Sequence, residues 1–249
     1  MLKSCGMILV LVAAFSFFAC GIEDFPFIGP VPQDNVTPVM NNRATVRIPN
    51  NYDGSPFSHF DIYYRIYVSD TPQASTESGT FSAINPALAS DHNVFNPYID
   101  STTQVNVNME TLFRGRGYYL LALQDDQALG SVLSSSVWGT ELVFDFSSGR
   151  APTMTAGGTS YILWRSISPG VGGLRNDPQP DRLFRNRIEL SETITPEINA
   201  DVVNKADIAP SIRRYTYAAM YITAVGINVT AYSYIYSTPA LIHVFLIPD

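Results

Sequence analysis

Apolar and polar residues alternate along much of this chain with a period of two, the pattern of a strand that buries one face. In residues 60–68 every second side chain is Phe, Ile, Tyr, Ile or Val, and the positions between them hold Asp, Tyr, Arg and Tyr. The same alternation occurs in residues 43–48, 105–109 and 137–146. It predicts antiparallel strands with one face on a core and the other in water.

Turn-forming pairs such as Asp53-Gly54 and Gly130-Ser131 separate these segments. Short strands punctuated in this way predict an all-β fold of the antiparallel β-sandwich type. Two short helices are also expected, one after Asn85-Pro86 and one after Thr195-Pro196. In both places a capping side chain precedes a proline at the first helical position.

Residues 112–118 (Leu-Phe-Arg-Gly-Arg-Gly-Tyr) precede a predicted strand over 118–124. The spacing of Leu112 and Tyr118 resembles the tyrosine corner of fibronectin type III and other immunoglobulin-like sandwiches. This resemblance implies that the Tyr118 hydroxyl hydrogen-bonds back to the turn before it. It also implies one such module over residues 43–148.

The second half of the body leaves two arrangements open. Residues 147–152 (Ser-Ser-Gly-Arg-Ala-Pro) predict a linker, and strands are expected again at 160–166, 215–227 and 240–247. Residues 149–249 are therefore a second sandwich-like module, or they complete one larger sandwich. The fold class is accordingly one or two tandem immunoglobulin- or fibronectin type III-like modules.

The N-terminus carries a processing signal. Residues 7–18 are an apolar run of 12, about 18 Å long as a helix and shorter than a ~30 Å hydrocarbon core. Ala19-Cys20 and polar residues follow. The segment resembles a bacterial lipoprotein signal peptide with its lipobox, although Phe17 stands where that motif usually has Leu. The resemblance implies cleavage of residues 1–19, diacylglycerol on the Cys20 thiol and an acylated new amine.

Residues 20–42 contain Pro26, Pro30, Pro32 and Pro38, and they predict a tether between the lipidated Cys20 and the body. A terminal strand packed on the body is the alternative. With this anchor, the expected location is the bacterial cell envelope, and the first partner is the membrane through the lipid.

Charge and motifs narrow the function classes. Fifteen basic and 22 acidic residues give a net charge of −7, which argues against nucleic acid as a partner. His59, His92 and His243 are far apart, and the chain has no metal-binding, nucleotide-binding or nucleophile motif. We therefore expect no metal, no cofactor and no enzymatic activity. A carboxylate-based hydrolase is the lesser alternative, with pairs at Asp125-Asp126 or at Glu189 and Glu192.

Tyrosine supplies the candidate binding surface, because its ring offers rigid amphipathic contact. The candidates are two residues on the predicted wet face of a strand and three near the C-terminus: Tyr63, Tyr67, Tyr232, Tyr234 and Tyr236. Packing inside the protein is the competing interpretation. These residues predict a sandwich that binds a protein or glycan.

A structural subunit of an envelope complex is the alternative function. Residues 241–247 are apolar on both faces, and this strand would be the interface of such a subunit. Packing against the rest of the protein is the simpler explanation for its composition.

Overall fold

The computed structural model describes residues 28–39, 42–51, 56–73, 76–99, 108–166, 183–184, 201–203 and 214–248. The strands are β1 Val36–Val39, β2 Arg43–Arg47, β3 Phe57–Ser69, β4 Tyr119–Leu120, β5 Ala122–Leu123, β6 Glu141–Asp145, β7 Thr153–Ala156, β8 Thr159–Trp164, β9 Val202–Val203, β10 Tyr215–Asn228, β11 Ser233–Tyr236 and β12 Ala240–Leu246. The helices are α1 Phe81–Ile84, α2 Pro86–Phe95, α3 Met109–Gly115 and α4 Leu129–Val132. None of these helices is long and apolar enough to span a bilayer.

The described strands form two sheets. Sheet 1 has the order β1-β2-β6-β7-β8-β5, and each neighbouring pair is antiparallel. Sheet 2 is built on the long antiparallel pair β3 and β10, in which Tyr215 lies opposite Ser69 and Gly226 opposite Phe57. Along its other side β10 pairs with β11 and β12, whereas β3 pairs with β4 and, in parallel, with β9.

The two sheets pack face to face around an apolar core. Sheet 2 contributes Phe60, Ile62 and Phe245 to this core. Phe146, which directly follows β6 of sheet 1, packs in the same core. The Phe146 and Phe245 rings are stacked, with their centroids 4.3 Å apart. The β-sandwich that the alternating pattern predicts is therefore confirmed in this general form.

A layer of helices covers the other face of sheet 2. Phe81 of α1, Phe95 of α2 and Phe113 of α3 lie in a second core with the tyrosines of β3 and β10. The Tyr63 ring is stacked on Phe113 at 4.5 Å. The predicted wet face of β3 is thus wrong, and the all-β class is too narrow, because aromatic side chains from these helices bury that face.

One of the two predicted helices is confirmed. The Asn85 side chain accepts a hydrogen bond from the Ala87 amide at 2.9 Å, and Pro86 occupies the first helical position of α2. The other prediction falls mainly on residues 185–200, which lie outside the described residues. Val202 and Val203, which were expected on its apolar stripe, form β9 instead.

The segment with the tyrosine-corner spacing has a different structure. Residues before Tyr118 form α3, and the Tyr118 amide donates to the carbonyl of Phe113. The Tyr118 and Tyr67 hydroxyl oxygens lie 2.9 Å apart, so the Tyr118 hydroxyl bonds to the neighbouring strand β3, whereas the resemblance implies a bond to its own turn. The predicted strand over 118–124 is divided at Leu121 between β4 in sheet 2 and β5 in sheet 1. Residues 101–107 lie outside the described residues, and Met109, predicted in a strand, begins α3.

Within the predicted tether of residues 20–42, the described residues 28–39 and Asn42 pack on the body as the alternative expects. Ile28 and Val31 are buried, and Pro38 lies in the edge strand β1 opposite Ala44, where its missing N–H is tolerated. The Gln33 side-chain amide donates to the Leu241 carbonyl and accepts from the Leu241 amide. Asn42 makes the same pair of bonds with Leu246, so this segment follows the free edge of β12.

Both sheets combine strands from the two sides of the predicted boundary at 148/149. β6 pairs with β7 across it, and β3 pairs with β10 over most of their length. The predicted linker 147–152 is thus the connection of a β-hairpin. The boundary does not separate the described residues into two cores. β12 is covered by sheet 1 on one face and by the helix layer on the other, as expected for an internally packed strand.

Candidate functional site

The β10–β11 hairpin forms the most exposed apolar feature of the described residues. Its strands pair from Val225 opposite Tyr236 to Asn228 opposite Ser233. The Asn228 side-chain oxygen accepts hydrogen bonds from the amides of Thr230 and Ala231, both at 3.0 Å, and so holds the connecting turn. We call residues 226–236 the tyrosine hairpin.

Uncharged side chains cover this hairpin. Four of the six large exposed hydrophobic residues in the described part of the chain lie on it: Ile227 at 43%, Val229 at 74%, Tyr232 at 93% and Tyr234 at 59% exposure. None of residues 226–236 carries a charge. Because exposed apolar residues are normally scattered singly, such a cluster indicates a contact surface.

The five candidate tyrosines do not share one surface. Tyr63 and Tyr67 are buried between sheet 2 and the helix layer, so the expectation that they face water is wrong. Tyr236 is half-buried at the base of the hairpin, and its hydroxyl donates to Glu110 Oε2 at 2.8 Å. Tyr232 and Tyr234 remain on the hairpin surface.

Ile227 and Val229 belong to the same surface, although nothing in their sequence context predicts their exposure. The tyrosine count drew attention to this region, but the more useful signal is the absence of charge from residue 226 to residue 236. An isolated Ile or Val in a strand is ordinary core composition, so their exposure is revealed only by the structure, in which the pairing of β10 with β3 ends at Gly226.

The base of the hairpin is in contact with the first described residue of the chain. A Cβ atom on Gly226 would lie 2.1 Å from Ile28 Cδ1 and 2.6 Å from the Pro56 carbonyl oxygen. The Ile227 amide donates to the same Pro56 carbonyl. Glycine at 226 therefore allows the N-terminal segment to pack directly on the hairpin base.

A polar cluster lies on the helix-covered face of sheet 2. The Tyr63 hydroxyl donates to Asp61 Oδ2 at 3.3 Å, and His59 Nε2 lies 3.3 Å from the other oxygen of that carboxylate. Glu110 of α3 accepts from Tyr236 and from Arg114 Nε. Burial, and next the Asp61 carboxylate, raise the pKa of Tyr63, so this phenol stays protonated and keeps donating.

A second polar cluster ties α2 to sheet 2. Asp91 accepts from Arg65 at 2.5 Å and from the Tyr67 hydroxyl at 2.6 Å, and it is nearly inaccessible to water. Burial, followed by the nearby Asp91 carboxylate, raises the pKa of Tyr67 well above its usual value. The Asp91 carboxylate is thus satisfied by a charged donor, Arg65, and a neutral donor, Tyr67, inside the protein. Such a buried network holds α2 on sheet 2.

The other candidate chemical groups are dispersed. Among the described residues, no three His, Cys, Asp or Glu side chains are grouped closely enough to hold a metal ion. His243 Nε2 lies 3.0 Å from Thr76 Oγ1, and burial lowers the pKa of His243 to about 4. Asp125 is exposed in a 3₁₀ turn, and Glu189 and Glu192 lie outside the described residues, as does Cys20.

Comparison of the chain with protein-family models, curated proteins and solved structures finds no match.

Proposed function

We propose that this protein is a non-enzymatic lipoprotein of the bacterial cell envelope, held at a membrane by lipid on Cys20, whose β-sandwich presents a contact surface to another envelope component. The observation that carries the contact role is the tyrosine hairpin, an uncharged surface on an otherwise well-packed body. What supports the anchor is the sequence from residue 7 to residue 20, an apolar run that ends in Ala-Cys.

The immunoglobulin-like or fibronectin type III-like identity of the sandwich belongs to this proposal. Two packed and mainly antiparallel sheets support it. The helix at Met109–Gly115 and the helix layer over sheet 2 are departures from such a module.

No observation on the described residues favours either alternative function, the assembly subunit or the hydrolase. The strand offered as an assembly interface, β12, is paired with β10 and covered on both faces, so its apolar composition is explained by internal packing. In the polar cluster of β3 and α3, Asp61 and Glu110 each accept from a tyrosine hydroxyl of the protein itself. Such carboxylates serve to position a helix, which gives no support to a hydrolase.

Substitution of the two cysteines separates the anchor from the rest of the protein. In a bacterial host that lipidates envelope proteins, we expect the wild-type chain to sediment with membranes. The amount of C20S in the membrane fraction should be at least tenfold lower. C5S is the matched control, since Cys5 lies in the predicted leader and its replacement leaves fractionation unchanged. Equal membrane association of C20S and wild type would contradict the proposed anchor.

A further inference from the structure

The tyrosine hairpin and the point where the N-terminal segment reaches the fold lie at the same end of the molecule. Ile28 packs on Gly226, the first residue of the hairpin. From there the chain follows β12 toward its far end, with Gln33 bonded to Leu241 and Asn42 bonded to Leu246. The N-terminal segment therefore begins its course on the body beside the hairpin.

Covalent geometry limits how far the hairpin base can lie from a lipid on Cys20. Ile28 is eight positions after Cys20, and a fully extended chain over eight positions spans at most about 29 Å. Tyr215, at the opposite end of β10, is 11 residues from Gly226, or about 37 Å along the strand. An anchor at Cys20 thus keeps the hairpin base within about 29 Å of the lipid, whereas the opposite end of the body can lie farther away.

The side chains on the hairpin match the interfacial region of a bilayer. Tyrosine is enriched at membrane–water boundaries because its ring is apolar and its hydroxyl stays hydrated. Tyr232 and Tyr234 provide this chemistry, and Ile227 and Val229 provide aliphatic surface beside them. Since the hairpin carries no Lys or Arg, its attraction to lipid does not depend on anionic headgroups.

From this placement we infer that the tyrosine hairpin inserts into the interfacial region of the bilayer to which Cys20 is anchored, as a second and non-covalent membrane contact. This inference rests on the proposed lipid anchor and names the bilayer as the envelope component that the hairpin meets. A weak intrinsic affinity is sufficient, because the anchor turns the second contact into an intramolecular event at high effective concentration.

The hairpin contact would orient the body. With lipid on Cys20 and the hairpin at the interface, β10 stands with its Tyr215 end directed away from the membrane. The loop after β6 lies at that far end, because Phe146 and Leu246 both accept from the Asn42 side chain, and Leu246 pairs with Tyr217 near the start of β10. Exposed Ser148 in that loop is therefore a matched position away from the bilayer.

Tryptophan fluorescence of the lipidated protein in vesicles tests this orientation. Y232W and S148W are purified with their lipid and reconstituted in neutral phosphatidylcholine with or without brominated acyl chains, with the wild type as background for Trp138 and Trp164. We expect the new tryptophan of Y232W to shift its emission to the blue in vesicles. Brominated lipid should quench it at least twofold more than the new tryptophan of S148W.

Each other outcome overturns the inference in a distinguishable way. If the proteins float with the vesicles and the two variants are quenched equally, the hairpin does not meet the bilayer while the anchor stands. If the protein does not float with vesicles, the anchor and the proposed function fail together. If the Y232W emission is unchanged by lipid and shifts only as protein concentration rises, the hairpin binds a second copy of the chain.

Discussion

Tyrosine has two uses in this protein, and its surroundings decide between them. Tyr63, Tyr67 and Tyr221 place their rings in the second core, where carboxylate or hydroxyl groups or the His92 imidazole accompany their hydroxyls. Tyr232 and Tyr234 keep both ring and hydroxyl at the surface. The same residue type therefore holds helices on a sheet in one place and offers contact area in another.

Tyrosines of both groups were predicted to form a binding surface, because composition records the presence of tyrosine and not its exposure. Alternation along β3 identified the side of the strand that Tyr63 and Tyr67 occupy. What lies over that side is set by segments distant in sequence, namely Phe81, Phe95 and Phe113. The hairpin tyrosines were identifiable because they follow a long strand and because no charged residue accompanies them.

His243 gives the fold a dependence on pH. Its pKa is about 4 in the folded protein and about 6.5 in an unfolded chain, so the unfolded chain takes up the proton first as the pH falls. The stabilisation is complete above about pH 6.5 and is lost progressively down to about pH 4, by about 3 kcal/mol at most.

Chemical denaturation of wild type and H243Q at pH 7 and pH 4.5 measures this effect. We expect the free energy of unfolding of H243Q to fall less between these pH values, because glutamine does not titrate. Both proteins keep a further dependence on pH through His92, whose pKa is also lowered by burial. Identical pH dependence in the two proteins would rule out the role of His243.

At the scale of elements, the strands were predictable and the layer above them was not. β2 and β12 lie within predicted segments, and β3 and β10 contain predicted segments and extend beyond them, because a strand with a buried face records that face in its own alternation. The helix layer comes from α1 and α2 and from residues 109–115, of which Met109 was predicted in a strand and residues 112–115 in the turn before Tyr118. Only the Asn85-Pro86 pair signalled a helix there, and it marks the start of α2.

The Asn85 side chain connects α2 to sheet 2 by hydrogen bonds, and replacing Asn85 tests how much these bonds contribute to stability. Besides capping α2, its side-chain nitrogen donates to the Val68 carbonyl at 3.0 Å and to the Val203 carbonyl at 3.4 Å. We expect N85A to lower the free energy of unfolding by about 2–3 kcal/mol, since it removes a cap and leaves buried carbonyls unsatisfied.

Asn108 is the matched control for this substitution. It caps α3 by accepting from the Thr111 amide, and it is exposed to water. N108A should therefore cost about 1 kcal/mol. Equal losses for N85A and N108A in urea denaturation would show that the buried bonds of Asn85 contribute nothing.

The contact between the N-terminal segment and the hairpin is testable at Gly226. A Cβ atom there meets Ile28 and the carbonyl of Pro56, and the backbone atom cannot move aside as a flexible side chain can. We expect G226A to lower the free energy of unfolding by about 1–3 kcal/mol.

Gly29 provides the control, because a Cβ at that position has no heavy atom within 4 Å. G29A should change the free energy of unfolding by no more than about 0.5 kcal/mol. A G226A protein as stable as wild type in the same denaturation experiment would mean that the chain does not pack closely on the hairpin base.

At the scale of the whole molecule, the described chain interleaves its two halves. β3 and β10, 146 residues apart at the pair Tyr215 and Ser69, form the centre of sheet 2, and the N-terminal segment closes the edge of β12. The sequence predicted two modules with one larger sandwich as the alternative, because strand period does not identify the pairing partner of a strand. Pairing across residues 148/149 was therefore visible only in three dimensions.

In this arrangement, the N-terminal segment and the hairpin lie at one end of the sandwich, and the Tyr215 end of β10 lies at the other. The segment that leads from Cys20 meets the body at the uncharged hairpin, while the acidic body, with a net charge of −7 over the whole chain, needs no electrostatic attraction to lipid. In the proposed function, membrane attachment, hairpin contact and orientation of the body all depend on the modification of a single thiol.

Mass spectrometry of the N-terminal peptide of the native protein tests that modification directly. The account predicts a peptide that begins at Cys20, with diacylglycerol on the sulfur and an acyl chain on the amine. A peptide with an unmodified Cys20 thiol, or one still joined to residues 1–19, would contradict it.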